Sequence, residues 1–183
     1  PPLLWNLGVS LVERAMIDGA CRAAGVPFGW ALRSGMLGAR PGALHPELEG
    51  VAWERLLPEA PLREVALRHT VGLADPLTMA DVGPDERLLD GLPQTLEECI
   101  EVDGLTHFKL KLCGDSERDR QRLRGIARIL EKQERAPVVT LDGNEQYPDL
   151  ASFASAWEEI RCDPQLDFLR SRTLFVEQPL PRS

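Results

Sequence analysis

Apolar residues recur along this chain with two different periods, and the change between them marks where helices give way to strands. Between Leu7 and Ala24 the positions Leu7, Leu11, Val12, Ala15, Met16, Ala20 and Ala23 fall at three- and four-residue steps, which gathers them on one helix face. Gly25 and Pro27 end that helix. Residues 33 to 64 carry Gly35, Gly38, Pro41, Gly42 and Gly50, a spacing that predicts short helices and loop. Val65 to Val71 reads as a strand, although Arg68 and His69 make it less apolar than a parallel strand buried on both faces. Residues 74 to 93 are rich in Asp, Gly and Pro and predict a long loop, a feature that often carries function.

From Thr95 onward helix and strand alternate. Thr95, with Glu98 three residues on, forms a capping box that starts a helix ending near Gly104. The apolar run from His107 to Leu112 follows as a strand. Ser116 is the expected cap of the next helix, which runs to about Glu134 and is stopped by Pro137 before a strand at Val138. Pro148 and Asp149 open a third helix with Leu150, Phe153, Trp157 and Ile160, closed by Asp163-Pro164, and Leu174 to Val176 form the last strand. This alternation is the pattern of a parallel α/β sheet with right-handed crossovers. Side chains alternate across a strand, so His107, Lys109 and Lys111 share one face while Phe108, Leu110 and Leu112 share the other. The apolar face packs under helices, and the lysine face then requires charged partners or a substrate.

Composition narrows the setting. The 183 residues are 43 % apolar and 27 % charged, which suits a folded globular chain. A net charge of −8 argues against nucleic acid or an anionic membrane surface as partner, because both attract clustered Lys and Arg. The arginines between Arg118 and Arg128 are interleaved with Leu123, Ile126 and Leu130 at helical spacing and read as a solvated helix face. Cys21, Cys99, Cys113 and Cys162 are scattered, without the paired spacing of a zinc site. With no secretory leader and no run approaching the roughly 18 apolar residues of a membrane span, the expected compartment is the cytoplasm and the cysteines are expected to be reduced core thiols.

The chemistry concentrates at three strand ends. Lys109 and Lys111 end the first, Asp142 and Asn144 follow the second, and Glu177 and Gln178 follow the third. βα-repeat proteins place their chemistry at the carboxyl ends of parallel strands, so this looks like a catalytic rim. Asp142 and Glu177 offer hard oxygen ligands on neighbouring strand ends, which suits Mg²⁺. Plainer readings exist for each motif: charged lysines blunt an edge strand, and Asp-Gly-Asn is a good turn sequence. His107 reads as structural or lower lining of the sheet, and His45 and His69 have no companions in sequence.

Taken in order, Lys109-x-Lys111, Asp142-x-Asn144 and Glu177-Gln178-Pro179 resemble the enolase superfamily, in its branch of mandelate racemases and muconate lactonizing enzymes. The segment from Val9 through Phe28 is also similar to the helix that precedes the barrel there. The resemblance implies a partial (β/α) TIM-type barrel: a helical segment and linker over residues 1–64, then the first four strands with their helices over 65–183. It implies Mg²⁺ held by Asp142 and Glu177 with a third carboxylate on a fifth strand, and a small carboxylate substrate that loses its α-proton to give an enediolate. Lys111 is then the general base. It must be neutral to act, and Lys109 on the same face together with a metal cation disfavours its charged form. Lys109 also contacts the substrate carboxylate, and Asn144 and Gln178 are substrate-binding or supporting groups.

Through this resemblance, Glu177-Gln178-Pro179 implies chemistry of the muconate-lactonizing type, which includes cycloisomerisation, epimerisation or racemisation and dehydration to a succinylbenzoate, ahead of acid-sugar dehydration. A closed barrel of this kind has eight strands, so the chain is expected to be part of a larger enzyme that forms homo-oligomers. The rival expectation is a non-catalytic remnant serving as an oligomerisation module.

Overall fold

The computed structural model describes residues 2–182, which fall into two units divided between Val65 and Ala66. In the first unit, helix α1 (Pro2–Ala24) is terminated by Gly25 in the left-handed region at φ +66°. There the Gly25 N–H donates to the Arg22 carbonyl at 3.1 Å and the Val26 N–H to the Cys21 carbonyl at 3.0 Å, closing the orphan carbonyls of the last turn. Pro27 then leads into α2 (Phe28–Arg33), and a short α3 (Trp53–Leu56) follows two 3₁₀ turns. Arg33 Nη1 donates to the Leu57 carbonyl at 2.8 Å, and Trp53 Nε1 to the Ala39 carbonyl at 2.8 Å. The helical face predicted for Leu7, Leu11, Val12 and Met16 forms, but each of these residues is more than half exposed.

In the second unit, β1 (Arg68–Val71) begins three residues later than the apolar run suggests. Its partner strand opens at His107, opposite Arg68, so the ladder between them begins there. Helix α4 (Leu96–Asp103) has the expected Thr95–Glu98 capping box and ends at Gly104, φ +62°. Strand β2 (His107–Lys111) leads to α5 (Ser116–Leu130). The cap of α5 is Asp115 rather than Ser116: its carboxylate accepts the Arg118 N–H, while the Ser116 hydroxyl turns to Glu159. The helix stops at Leu130, four residues short of expectation, where the Lys132 and Gln133 N–H groups turn back to Ile129 and Leu130.

After β3 (Val138–Asp142), α6 (Leu150–Arg161) opens where expected, with Asp149 as its cap. Asp163-Pro164 closes that helix but also opens another segment. A 3₁₀ turn at Pro164–Leu166 runs into α7 (Asp167–Arg172), which buries Leu166 and Leu169 before β4 (Thr173–Glu177).

The sheet is all parallel, in the order β1-β2-β3-β4. One face packs under the helices: Phe108 and Leu110 are fully buried, with Val139 and Leu141, against Leu123, Ile126, Leu130 and Ile160. Each such side chain contributes roughly 1.5–3 kcal/mol of burial, so this layer fixes which way the opposite face points. The other face carries His107, Lys109 and Lys111, half-buried as the alternation predicts.

Two further expectations are corrected. The arginines of α5 are not simply solvated, since Arg124 pairs with buried Asp163 at 2.6 Å and Arg122 donates to the Gly72 and Asp75 carbonyls. The cysteines are all free but not all in the core: Cys21 is buried, Cys99 and Cys113 half-buried, and Cys162 exposed just after α6. Among the described residues no helix is long and apolar enough to cross a membrane.

Candidate functional site

Parallel register alone brings the three motifs together. Lys111 stands opposite Asp142 across β2 and β3, and Asp142 stands opposite Glu177 across β3 and β4, all at the carboxyl ends of their strands. Asp142 is the centre of the cluster. Its side chain is 2 % exposed, and its Oδ2 lies 2.7 Å from both Lys109 Nζ and Lys111 Nζ. Its Oδ1 accepts the Asn144 backbone N–H at 3.0 Å. Burial alone would push this carboxyl up, but the hydrogen bonds from Lys109 and Lys111, with that of Asn144, outweigh it and hold the pKa at about 2.

Lys109 reaches further. It donates to Glu177 Oε1 at 3.2 Å and lies 3.1 Å from Oε2, so one ammonium bridges carboxylates of two strands. Its pKa is raised, chiefly by the hydrogen bond to Asp142; burial opposes the shift and Glu177 adds to it. Lys111 also donates to Asn144 Oδ1 at 2.8 Å, so Asn144 contributes through both backbone and side chain.

The loops that carry these groups are tightly built. Asn144, Glu145 and Gln178 all have positive φ, at +46°, +60° and +41°, in a region that non-glycine residues enter rarely and at a cost of about 1–3 kcal/mol each. Two hydrogen bonds tie the loops after β3 and β4 together: the Gly143 N–H donates to the Glu177 carbonyl at 2.9 Å, and the Glu145 N–H to the Gln178 carbonyl at 2.7 Å. Gln178 thus enters the site through its backbone. A Cβ on Gly143 would stand 2.7 Å from Pro179 Cα, so only glycine lets the two loops approach this closely.

Two further features went unread in the sequence. Arg68, at the start of β1, donates to Thr140 Oγ1 at 3.1 Å and places Nη2 3.6 Å from Glu177 Oε2. Its signal was an arginine inside an apolar run, two residues before the Thr70 that pairs with Lys109. Asp119, 3 % exposed on α5, accepts the N–H groups of Cys113 and Gly114 at 2.8 and 3.1 Å and so anchors the loop that follows Lys111. Tyr147 lies over it with its hydroxyl 3.5 Å from Asp119 Oδ2, and burial beside that carboxylate pushes the phenol well up. His107 is half-buried at the opposite end of β2, its Nδ1 2.9 Å from Thr106 Oγ1.

The donor set can be weighed against a divalent ion directly. Among the described residues no group of three or more His, Cys, Asp and Glu side chains converges. Two carboxylates do, and Glu177 Oε2 is shut off from solvent without an aligned hydrogen bond. Carboxylates are the donor type that a hard cation such as Mg²⁺ takes, and a cation here would have to displace the lysine ammoniums that lie 2.7 Å from Asp142 Oδ2 and 3.1 Å from Glu177 Oε2. Comparison of the chain with protein-family models, with curated proteins and with solved structures found no match.

Proposed function

We propose that this chain carries the metal-binding and proton-abstracting side of an enolase-type site, in an enzyme that forms an enediolate from a small carboxylate substrate. In this reading the four-stranded parallel sheet is the first half of a (β/α) barrel. One observation carries the proposal: Lys109, Lys111, Asp142 and Glu177 converge at the carboxyl ends of three adjacent parallel strands.

Asp142 and Glu177 would hold Mg²⁺, which supplies stabilisation of the negative charge that develops when an α-proton leaves. Lys111 in its neutral form receives that proton on Nζ, oriented by Asn144 Oδ1 at 2.8 Å; Asp142 Oδ2 at 2.7 Å favours the ammonium, and a cation held by Asp142 would weaken that pairing. Lys109 lies against both carboxylates and presents positive charge to the substrate carboxylate. Glu177-Gln178-Pro179 supports cycloisomerisation, epimerisation or racemisation of the muconate-lactonizing kind ahead of acid-sugar dehydration.

The test is α-proton exchange in deuterated water with Mg²⁺, followed by NMR over a panel of α-hydroxy, α-amino-acyl and unsaturated carboxylates. The expected result is exchange by the parent that falls at least about 100-fold in Lys111→Ala while Mg²⁺ binding persists. Exchange undiminished in that variant would overturn the assignment of the base. A second reading, as a binding module without turnover, is favoured by the way Lys109 lies against both carboxylates and closes the cluster on itself. Mg²⁺ binding by a parent that exchanges no substrate would favour it.

A further inference from the structure

Arg68 sits on β1, at the far edge of the sheet from β4, yet its guanidinium reaches Glu177. To do so the side chain crosses the polar face of β2. Nη1 is anchored on the buried Thr140 hydroxyl of β3 at 3.1 Å, and Thr140 in turn points that hydroxyl toward the Phe108 carbonyl at 3.5 Å. Nη2 is left 3.6 Å from Glu177 Oε2, close enough for charge attraction and too far for a hydrogen bond. The fork matters here. A guanidinium presents separate nitrogens to separate acceptors in fixed geometry, whereas a lysine ammonium at the same place could not hold Thr140 and Glu177 in one orientation.

The consequence falls on Glu177 Oε2. This oxygen is excluded from solvent, flanked by Arg68 and Lys109, and makes no aligned hydrogen bond. Its close neighbours are charges, Lys109 Nζ at 3.1 Å and Arg68 Nη2 at 3.6 Å, so the carboxylate is held in place by ionic attraction from two sides. We propose that Arg68 is a positioning residue for Glu177, braced on Thr140 so that the Glu177 carboxylate faces the Asp142 side of the site and takes a cation there. The proposal rests on the reading of Asp142 and Glu177 as metal ligands. Two effects of Arg68 on a cation oppose each other. Its charge repels the ion, and its hold on Glu177 fixes the ligand. Partners behind a metal ligand typically change affinity 10–100-fold when removed, so positioning is the larger effect.

The sign of that balance makes the test. In the full 183-residue protein, Mg²⁺ titration by calorimetry should show binding weakened about 10-fold in Arg68→Gln, with partial recovery in Arg68→Lys. Unchanged or tighter binding in Arg68→Gln would overturn the proposal, because charge repulsion alone predicts tightening. A second readout needs no metal. With chelator present, Arg68→Gln should lower the thermal midpoint by about 2 °C in the parent and by much less in a Glu177→Gln background. Equal shifts in the two backgrounds would show that Arg68 does not hold Glu177, and would overturn the proposal independently. If the parent takes up no Mg²⁺ while the metal-free coupling is present, the metal reading of the carboxylates fails and the hold of Arg68 on Glu177 stands. Should Arg68→Gln fail to fold, Thr140→Val, which removes the brace and leaves the charge, carries the same expectations in the same direction.

Discussion

Lys109 and Asp142 are not register partners, since Thr140 stands opposite Lys109, yet Lys109 Nζ lies 2.7 Å from Asp142 Oδ2. The lysine side chain leans one step toward the carboxyl end of the sheet to get there. Both groups are largely desolvated, at 16 % and 2 % side-chain exposure, so breaking the pair leaves a buried carboxylate short of charge. Lys109→Met, which keeps the stem and removes the ammonium, is expected to lower stability by about 3 kcal/mol in urea unfolding at neutral pH. The pKa of Lys109 is raised in the fold, so its contribution is fully present below the ordinary lysine value of 10.5 and is lost as pH climbs through the higher folded value. The gap between parent and variant should therefore narrow only above pH 10.5.

The acid side has the opposite sign. The Asp142 carboxyl is held at about 2 against an ordinary 3.8, so its contribution is present above 3.8 and disappears as pH falls toward 2. That contribution is about 2 kcal/mol. Urea unfolding between pH 5 and pH 2 should show a steep loss in the parent and a flatter limb in Asp142→Asn. Parallel limbs would mean that Asp142 titrates normally in the fold.

Much of this site was legible before any coordinates, for reasons that are local. The alternation of Phe108, Leu110 and Leu112 with His107, Lys109 and Lys111 already assigned one face to the core and left the other polar, and the structure keeps that alternation. The capping box at Thr95 and the cap at Asp149 involve residues three apart, so they too could be read. What escaped depends on distant partners. Arg68 acquires its role from Thr140, 72 residues away, and no periodicity connects them. Helix α7 escaped because Asp163-Pro164 is at once a helix end and the start of another turn, and Leu166 and Leu169 are too few to show a period. The exposed apolar stripe of α1 shows the same limit from the other side: its pattern predicts a helix, and does not state what covers it.

Gly143 offers a test of loop architecture. Its would-be Cβ meets the backbone of Pro179, which cannot rotate away as a side-chain tip would. Gly143→Ala is expected to cost about 1–3 kcal/mol and to push apart the loops bearing Asp142 and Glu177. Thermal unfolding gives the first effect, and a Mg²⁺ affinity that falls more than stability predicts gives the second.

Asp119 supports the rim from below. It is buried and accepts two backbone N–H groups from the loop after β2, so Asp119→Ala leaves both donors without a partner. The expected loss is about 2–4 kcal/mol in urea unfolding, with faster amide exchange at Cys113 and Gly114. Loss of stability without faster exchange at those two amides would show that the loop is held by other contacts.

The claim that Asp142 and Glu177 share one cation is tested most directly by Mg²⁺ calorimetry on the parent, Asp142→Ala and Glu177→Ala. Saturable binding to the parent that vanishes in both variants is the predicted result. Absence of binding by the parent, or binding that survives loss of either carboxylate, would contradict it.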